Sequence, residues 1–347
     1  MRTPADVALG LNGAFYVADS GNNRILEFQG GLFLPSAAAS AVRVLGQSNF
    51  NARNPNPNST DGRATAEGLF LPTNLASDRN GMLYVADAGN NRVVEYLKPA
   101  VAVSAATFFP GVSVAAGSLT SVFGVSLSPE SAAAGAVPLP TELGGIFVEM
   151  GADEVRAPLV FVSPGQINLQ IPPATPVAVQ QLLVRLVETD ELIGGGLFGV
   201  ASARPGLFTL SQNGVGFAVA LNQDGTFNSP ENPAARGSVI TLFGTGQGPT
   251  NPIVAAGEAP PNGVLANTTA VPTQTAIECL QPNAMCVVMA NKIAETQFSG
   301  LAPNFVGLWQ LNVKVPEGED FLGGPLVEVK AIVHQFTTND NVFISTQ

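Results

Sequence analysis

Few side chains in this sequence have the types and the spacing that catalysis needs. The 347 residues include one histidine and two cysteines, so a catalytic triad or a histidine-based metal site would have to use His334. No G-x-S-x-G nucleophile motif accompanies this histidine. We therefore predict that His334 is an ordinary strand residue, that the protein is not an enzyme, and that it holds no metal or cofactor.

Two loops superficially resemble ligand-binding motifs but are better explained as turns. Residues 244–248 read Gly-Thr-Gly-Gln-Gly, but Pro249 follows them, without the helix that a phosphate-binding loop must lead into. Residues 222–225 read Asn-Gln-Asp-Gly and lack the regular oxygen ligands and closing glutamate of a calcium loop. Because Asp-Gly is itself a hairpin dipeptide, both segments are predicted to be turns between strands.

Cys279 and Cys286 flank a short segment that contains a turn-forming Pro-Asn pair. The two side chains could close a disulfide across this loop, which would imply an oxidising compartment, or they could remain two buried thiols. Two thiols without histidine partners are too few for a structural zinc site.

The composition favours large apolar cores and argues against nucleic acid as a partner. Lys and Arg number 15 against 26 Asp and Glu, which gives a net charge of −11, whereas nucleic acids and anionic membranes attract basic surfaces. Residues 99–129 carry no charge, but Pro110-Gly111 interrupts them and no membrane span is predicted. Their second half alternates with period two, which predicts a strand. The apolar face of that strand is predicted to carry Leu119, Phe123, Val125 and Leu127.

An internal duplication is the strongest pattern in the sequence. Residues 4–28 (PADVALGLNGAFYVADSGNNRILEF) and 72–96 (PTNLASDRNGMLYVADAGNNRVVEY) are identical at 13 of 25 positions, with an offset of 68. Each copy predicts strand, turn, strand, turn, strand. Asn-Gly at 12–13 and 80–81 suits the first turn, and Gly-Asn-Asn at 21–23 and 89–91 suits the second.

Four chemically distinctive positions recur in both copies of this duplication. They are Tyr16, Asp19, Asn23 and Arg24 in the first copy and Tyr84, Asp87, Asn91 and Arg92 in the second. A functional interpretation makes the Asp and Arg side chains a rim that binds a polar ligand. Recurrence in every unit favours a structural interpretation, in which Asp bonds its turn amides, Arg pairs between units and Tyr lies in the interior.

The shared pattern N-G-x-x-Y-V-A-D-x-G-N-N-R-[IV] resembles the NHL repeat, a unit of β-propeller blades. The resemblance covers residues 1–98 and implies a partial propeller of two blades. Because propellers close with about 4–8 blades, we expect these to be the last blades of a longer propeller, with upstream blades and a secretion signal missing from this chain. Alternatively, the two blades pack onto the next domain or dimerise.

A second duplication predicts two β-sandwiches downstream. Residues 117–124 match 237–244, and residues 166–172 match 310–316. Short alternating strands separated by Gly, Pro and Asn turns surround both pairs, as in sandwiches of immunoglobulin-like (Ig-like) type. Residues 179–188 would suit a helix face or a strand face and are predicted to be a strand. Trp309 could be a sugar-stacking platform, but it is predicted to lie in a sandwich core or on a sheet face. The predicted domains are residues 1–98, 99–203 and 204–347.

Several phrases in residues 100–347 resemble an uncharacterised C-terminal module of large exported acidobacterial proteins, among them VSPGQIN at 162–168 and ARPGLF at 203–208. This resemblance implies export and brings no known activity. The predicted fold class is therefore all-β: a partial NHL β-propeller followed by two tandem Ig-like β-sandwich domains.

The predicted function is binding or adhesion outside the cell or at its surface. The blades would bind an unknown protein or carbohydrate ligand, and the sandwiches would be spacers or attachment modules. One alternative is a propeller lyase or hydrolase whose active site lies in upstream blades. Another is a purely structural surface stalk.

Overall fold

The computed structural model describes residues 1–9, 15–28, 40–57, 59–65, 68–78, 82–96, 100–261 and 263–347. These residues form an all-β protein, whose described helices are single 3₁₀ turns at Ser20–Asn22, Ala88–Asn90 and Glu278–Leu280. No helix in these ranges is long and apolar enough to cross a membrane. The chain divides into two compact units, Met1–Pro99 and Ala100–Gln347. The two predicted Asn-Gly turns lie outside the described residues.

The first unit contains two antiparallel sheets built from the duplicated segments. The four-stranded sheet has the order β1–β2–β3–β4, with β1 Pro4–Leu9, β2 Phe15–Asp19, β3 Arg24–Phe28 and β4 Ala41–Leu45. The three-stranded sheet has the order β5–β6–β7, with β5 Pro72–Ser77, β6 Leu83–Asp87 and β7 Arg92–Tyr96. The three strands predicted for each copy are therefore present, and we call the two sheets the first and second blade.

The two blades repeat one another in register as well as in sequence. Pro4 lies opposite Asp19 and Leu9 opposite Phe15, and the equivalent pairs, 68 residues further on, are Pro72 with Asp87 and Ser77 with Leu83. Even the shift in register after the first residue of the leading strand recurs. The shared sequence pattern thus accompanies the same pairing of the three strands in each copy.

Each blade has two faces, because successive side chains of a strand point to opposite sides. We call one of these faces the A face. In the first blade the A face carries Asp6, Ala8, Tyr16, Ala18, Ile25 and Glu27. In the second blade it carries the equivalent residues Asn74, Ala76, Tyr84, Ala86, Val93 and Glu95. The opposite one is the B face. Tyr16, Ala18 and Ile25 share one apolar cluster with Leu83 and Val85. The A face of the first blade therefore packs against the B face of the second.

The first part of the second unit contains two sheets that enclose one apolar cluster. The first sheet has the order β11–β15–β16–β10–β8; the second has the order β12–β13–β17–β18–β9, with β14 paired to β13. The strands are β8 Val101–Ser104, β9 Val114–Ala115, β10 Leu119–Phe123, β11 Ala132–Ala133, β12 Glu142–Leu143, β13 Ile146–Met150, β14 Val155–Arg156, β15 Leu159–Val162, β16 Gln166–Gln170, β17 Val179–Leu186 and β18 Leu192–Ala201. Strand β17 confirms the strand predicted over residues 179–188, and Val122 and Val184 meet in the core between the sheets.

The remainder of the second unit is a second pair of sheets. One has the order β19–β22–β29–β28–β24–β23, with β21 on β22; the other has the order β20–β32–β30–β26–β25, with β27 on β26 and β31 on β30. The strands are β19 Gly206–Leu207, β20 Gly216–Phe217, β21 Ala220–Leu221, β22 Val239–Thr245, β23 Thr250–Asn251, β24 Asn267–Thr268, β25 Val271–Pro272, β26 Ala284–Met289, β27 Lys292–Ala294, β28 Thr296–Leu301, β29 Trp309–Lys314, β30 Val327–Val333, β31 Phe336–Thr337 and β32 Val342–Ile344. Trp309 is buried in their shared cluster, as predicted. The division into domains at 203/204 stays a prediction.

The second duplication is also a duplication of strand pairing. Strand β10 pairs with β16 so that Leu119 faces Gln170. The equivalent strands β22 and β29 pair so that Val239 faces Lys314. Residues 117–124 and 237–244 thus occupy the same place in the two sandwiches.

The predicted apolar face of residues 119–127 is wrong for Leu119 and Phe123, which lie outside the core cluster, although Leu127 is buried in it. Strand β10 ends at Phe123, and the side chains that it buries in the core are Thr120 and Val122. Phe123 lies on the opposite face, together with the buried Ser121. Because both faces of β10 are largely covered, the alternation of apolar residues does not reveal which face meets the core.

Candidate functional site

Asp19 is the centre of the recurring polar positions in the first blade. Its carboxylate is fully buried, and Oδ2 accepts hydrogen bonds from Asn22 Nδ2 at 3.0 Å and Arg24 Nε at 2.7 Å, while Oδ1 accepts the backbone N–H of Arg2 at 2.5 Å. Burial alone would raise the pKa of Asp19, but these hydrogen bonds outweigh burial and lower the pKa. Asp19 is therefore held ionised inside the blade.

Asp87 repeats this arrangement in the second blade. Its carboxylate accepts hydrogen bonds from Asn90 Nδ2 at 2.7 Å, Arg92 Nε at 2.8 Å and the backbone N–H of Phe70 at 2.7 Å. The prediction that each Asp bonds the backbone amides of its own turn is wrong, because the backbone amide comes from 17 residues upstream. The prediction that Arg pairs between units is also wrong, because Arg24 and Arg92 each pair with the Asp of their own blade. The turn amide of Gly89 is itself occupied, since it donates to the Phe70 carbonyl at 2.8 Å.

Asn23 connects the two blades. It adopts the left-handed conformation, with φ 53°, and Asn91 does the same, with φ 50°. Asn23 accepts the backbone N–H of Leu71 at 2.9 Å and donates to the Arg53 carbonyl at 2.9 Å. These contacts are all internal, so we interpret the recurring Asp, Asn and Arg residues as the scaffold of the blades.

The two A faces differ sharply in exposure although their residues are nearly the same. In the first blade Ala8, Tyr16, Ala18, Ile25 and Glu27 are all buried. In the second blade Ala76, Val93 and Glu95 are exposed, and Tyr84 and Ala86 are half-buried. We call this second surface the open A face; it is the candidate binding surface of the first unit.

The covered A face shows what such a surface can hold. Apolar side chains of the second blade, among them Leu83 and Val85, pack on its centre. At its edge Asp6 Oδ2 accepts the backbone N–H of Leu75 at 2.8 Å. Asn74, the equivalent of Asp6, is exposed and carries a side-chain oxygen that can accept in the same way. An apolar sheet with a backbone N–H at its edge would therefore pack on the open A face as the second blade packs on the first.

Cys279 and Cys286 are joined by a disulfide bond. Cys279 lies in the 3₁₀ turn Glu278–Leu280, and Cys286 lies in β26. The bond therefore attaches the turn to the sheet of the second sandwich.

His334 is not a strand residue, contrary to prediction. It forms a two-residue turn with Gln335 between β30 and β31, and both residues have positive φ, 49° and 70°, as a type I′ hairpin requires. Its Nδ1 lies 2.6 Å from the Pro282 carbonyl oxygen. The valine and phenylalanine beside the turn give this segment a strand-like sequence. Within the described ranges, no three His, Cys, Asp or Glu side chains gather closely enough to hold a metal ion.

Comparisons with known proteins support the repeat and little beyond it. No curated protein matches the sequence. One similar solved structure is the Escherichia coli adhesin FdeC, with 12% identity over 99% of this chain and 96% of that chain and a TM-score of 0.18. Another is the plexin A4 full extracellular region, with 8% identity over 98% of this chain and 40% of that chain and a TM-score of 0.19. Scores this low establish no shared fold. The NHL repeat family matches residues 1–28, so the first blade is built on an NHL repeat.

Proposed function

We propose that this protein is a non-catalytic binding or adhesion protein of the cell surface or extracellular space, and that it binds a protein partner through the open A face. The observation that supports this most strongly is the contrast between Ile25, 0% exposed, and its equivalent Val93, 68% exposed. An apolar sheet covers Ile25 and its neighbours. The equivalent side chains of the open A face are exposed or half-buried and can contact a partner in the same way.

A surface location fits several features of the chain. The NHL repeat at residues 1–28 belongs to a class of binding scaffolds. The disulfide between Cys279 and Cys286 suits an oxidising compartment. The resemblance of residues 100–347 to an exported acidobacterial module points the same way. In this proposal the blades belong to a partial propeller, and two tandem Ig-like sandwiches act as spacers or attachment modules.

The chemistry of the open A face favours protein over carbohydrate as the partner. Ala76, Ala86 and Val93 on this face have no side-chain hydrogen-bonding groups. Tyr84 lies in the central strand, and the polar Asn74 and Glu95 lie on the outer strands. A sugar placed over these three apolar residues would lose hydrogen bonds to water without replacing them. An apolar protein surface would instead gain from the area removed from water.

Binding should depend on Val93 and not on an equally exposed valine elsewhere. We expect the full chain to bind to a surface coated with bacterial secreted proteins, and Val93→Asp to weaken this binding at least tenfold, because the carboxylate would lose its water in an apolar contact. Val7→Asp is the matched control, since Val7 is 57% exposed on the B face of the first blade. Equilibrium binding to the coated surface, measured by biolayer interferometry, gives both affinities.

Two results would contradict the proposal. Equal affinities of V93D and the unchanged chain would show that the open A face is not used. Binding to purified peptidoglycan alone, with none to the protein-coated surface, would assign a carbohydrate partner instead. Circular dichroism of both variants checks that the blades remain folded.

A further inference from the structure

The second unit contains a cleft of about 1090 Å³ between its two sandwiches. This volume slightly exceeds the range of about 300–1,000 Å³ that is typical of small-ligand sites. One wall is formed by β10, β16 and the segment after β8, and the other by residues 208–227, β22 and the turn before β29. Six phenylalanines line it: Phe108, Phe123, Phe208, Phe227, Phe243 and Phe305.

Both copies of the second duplication contribute to this cleft. Phe123 in β10 and Phe243 in β22 are equivalent residues, and both line it. Phe227 and Phe305 stand at its rim, 63% and 58% exposed. Exposed aromatic residues that adjoin an apolar cleft are unusual on a surface without a partner, so the cleft has the character of a binding site.

The cleft is suited to an uncharged ligand. None of the described side chains that line it is ionisable, although the chain has a net charge of −11. A charged group placed there would lose its hydration and meet no opposite charge. This excludes ligands whose buried part carries a carboxylate, a phosphate or an ammonium group.

A pair of carboxamides gives the apolar cleft a directional hydrogen-bonding group. Asn168 Oδ1 accepts hydrogen bonds from Ser121 Oγ at 2.9 Å and Gln166 Nε2 at 2.7 Å. These two bonds fix the orientation of both amides. Asn168 Nδ2 and Gln166 Oε1 then have no hydrogen-bond partner in the described part of the chain. One donor beside one acceptor is the complement of a peptide group.

We propose that this cleft binds an uncharged apolar peptide segment. One peptide group of the segment hydrogen-bonds to Gln166 and Asn168, and its aromatic or aliphatic side chains pack against the phenylalanines. This goes beyond the function proposed above, because it gives the sandwiches a binding site of their own. The two proposals are separable, since Val93→Asp leaves the cleft unchanged.

The probe for this site is the blocked tripeptide acetyl-Phe-Leu-Phe-amide, titrated into the full chain by isothermal calorimetry. We expect saturable binding with one site per chain. The unblocked tripeptide Phe-Leu-Phe should bind at least tenfold more weakly, because its terminal charges would be buried unpaired. Absence of binding by the blocked peptide at millimolar concentration, or equal affinity for maltohexaose, would overturn the proposal.

The second sandwich supplies a matched control for the carboxamide pair. Asn312 Oδ1 accepts from Gln310 Nε2 at 2.9 Å and from Thr241 Oγ1 at 3.2 Å, but Asn312 does not line the cleft. Asn168→Asp keeps the oxygen that accepts these bonds and replaces the free donor with a charge. N168D should weaken peptide binding at least tenfold and N312D should not; equal effects of the two variants would overturn the proposal.

The rim phenylalanines provide a test that does not perturb the core. Phe227→Ala and Phe305→Ala should each weaken binding of the blocked peptide by threefold or more, because both side chains are exposed in the unbound protein. Phe50→Ala, a change of an exposed phenylalanine in the first unit, should leave the affinity unchanged. Unchanged affinity in both rim variants would place the peptide outside the cleft and refute the proposal.

Discussion

Glu27 and Glu95 occupy the same position of the two blades in different surroundings. Glu27 is buried on the covered A face, and its Oε2 lies 3.5 Å from Arg43 Nη1. Burial raises the pKa of Glu27, and the Arg43 charge offsets this only in part. Glu95 is exposed on the open A face. The same position thus carries a buried carboxyl group in the first blade and an exposed one in the second.

The raised pKa of Glu27 predicts the pH dependence of the first unit. Ionisation costs more in the folded blade than in the unfolded chain, so this contribution to stability is fully present below the ordinary pKa of 4.5 and is lost as the pH rises through the raised value. Glu27→Gln should therefore stabilise the first unit at pH 8 by about 1 kcal/mol, with a smaller gain at pH 5.

Urea denaturation at the two pH values, followed by tyrosine near-ultraviolet circular dichroism, measures this difference. Glu95→Gln is the control and should change the free energy of unfolding at neither pH. A destabilising E27Q at pH 8 would mean that the pair with Arg43 outweighs the cost of burial.

At this scale the sequence shows that the polar residues recur, but it does not show which atoms they contact. Repetition of Asp19 and Arg24 as Asp87 and Arg92 indicated a scaffold, and both pairs are ion-paired, at 2.7 and 2.8 Å. The upstream partners are backbone amides of Arg2 and Phe70, whose side chains differ. Every residue except proline has a backbone N–H, so the residue types do not reveal which one donates to each Asp.

At the scale of single elements, the 3₁₀ turn after β6 requires glycine at position 89. A Cβ atom there would lie 2.5 Å from the Phe70 carbonyl oxygen, which also accepts the Gly89 N–H. Gly89→Ala must therefore separate the turn from its anchor. We expect the first unit to lose about 2–4 kcal/mol of unfolding free energy, measured by urea denaturation with the tyrosine signal.

Gly135→Ala is the matched control for this substitution. A Cβ at Gly135, in the second unit, would meet no atom within 4 Å. The free energy of unfolding of the second unit, followed by Trp309 fluorescence, should therefore change by no more than about 0.5 kcal/mol. A loss in G89A no larger than in G135A would refute the close approach at the turn.

The strands could be predicted where the sequence repeats, but the face of β10 that meets the core could not. The strands of residues 4–28, 72–96 and 179–188 follow from their spacing. The core face of β10 did not, because Phe123 lines a cleft and mimics a core residue. The cleft itself joins residues more than 100 positions apart, such as Phe123 and Phe305, and no local pattern carries that information.

At the scale of the whole molecule, the disulfide should stabilise the second unit alone. Cys279 and Cys286 are 7 positions apart, and opening a loop of this length costs about 2–3 kcal/mol in the chain-entropy account. Dithiothreitol should therefore lower the urea midpoint reported by Trp309, which is buried in the second unit. Fluorescence excited at 295 nm follows this tryptophan.

The three tyrosines Tyr16, Tyr84 and Tyr96 all lie in the first unit and supply the internal control. Their midpoint should not move with reductant. Movement of the tyrosine midpoint together with that of Trp309 would mean that the two units unfold as one. The double variant C279S/C286S, measured without reductant, should reproduce the tryptophan result.

The contact of the A face of one blade with the B face of the next gives the pair of blades a direction. The two surfaces that meet are different, so the contact is head-to-tail and has no two-fold axis. A partner that copies the second blade would extend the row at one end only. A symmetric dimer through the open A face would need a contact that these two blades do not make with each other, whereas a partner that presents a surface like the B face would use the contact that they do make.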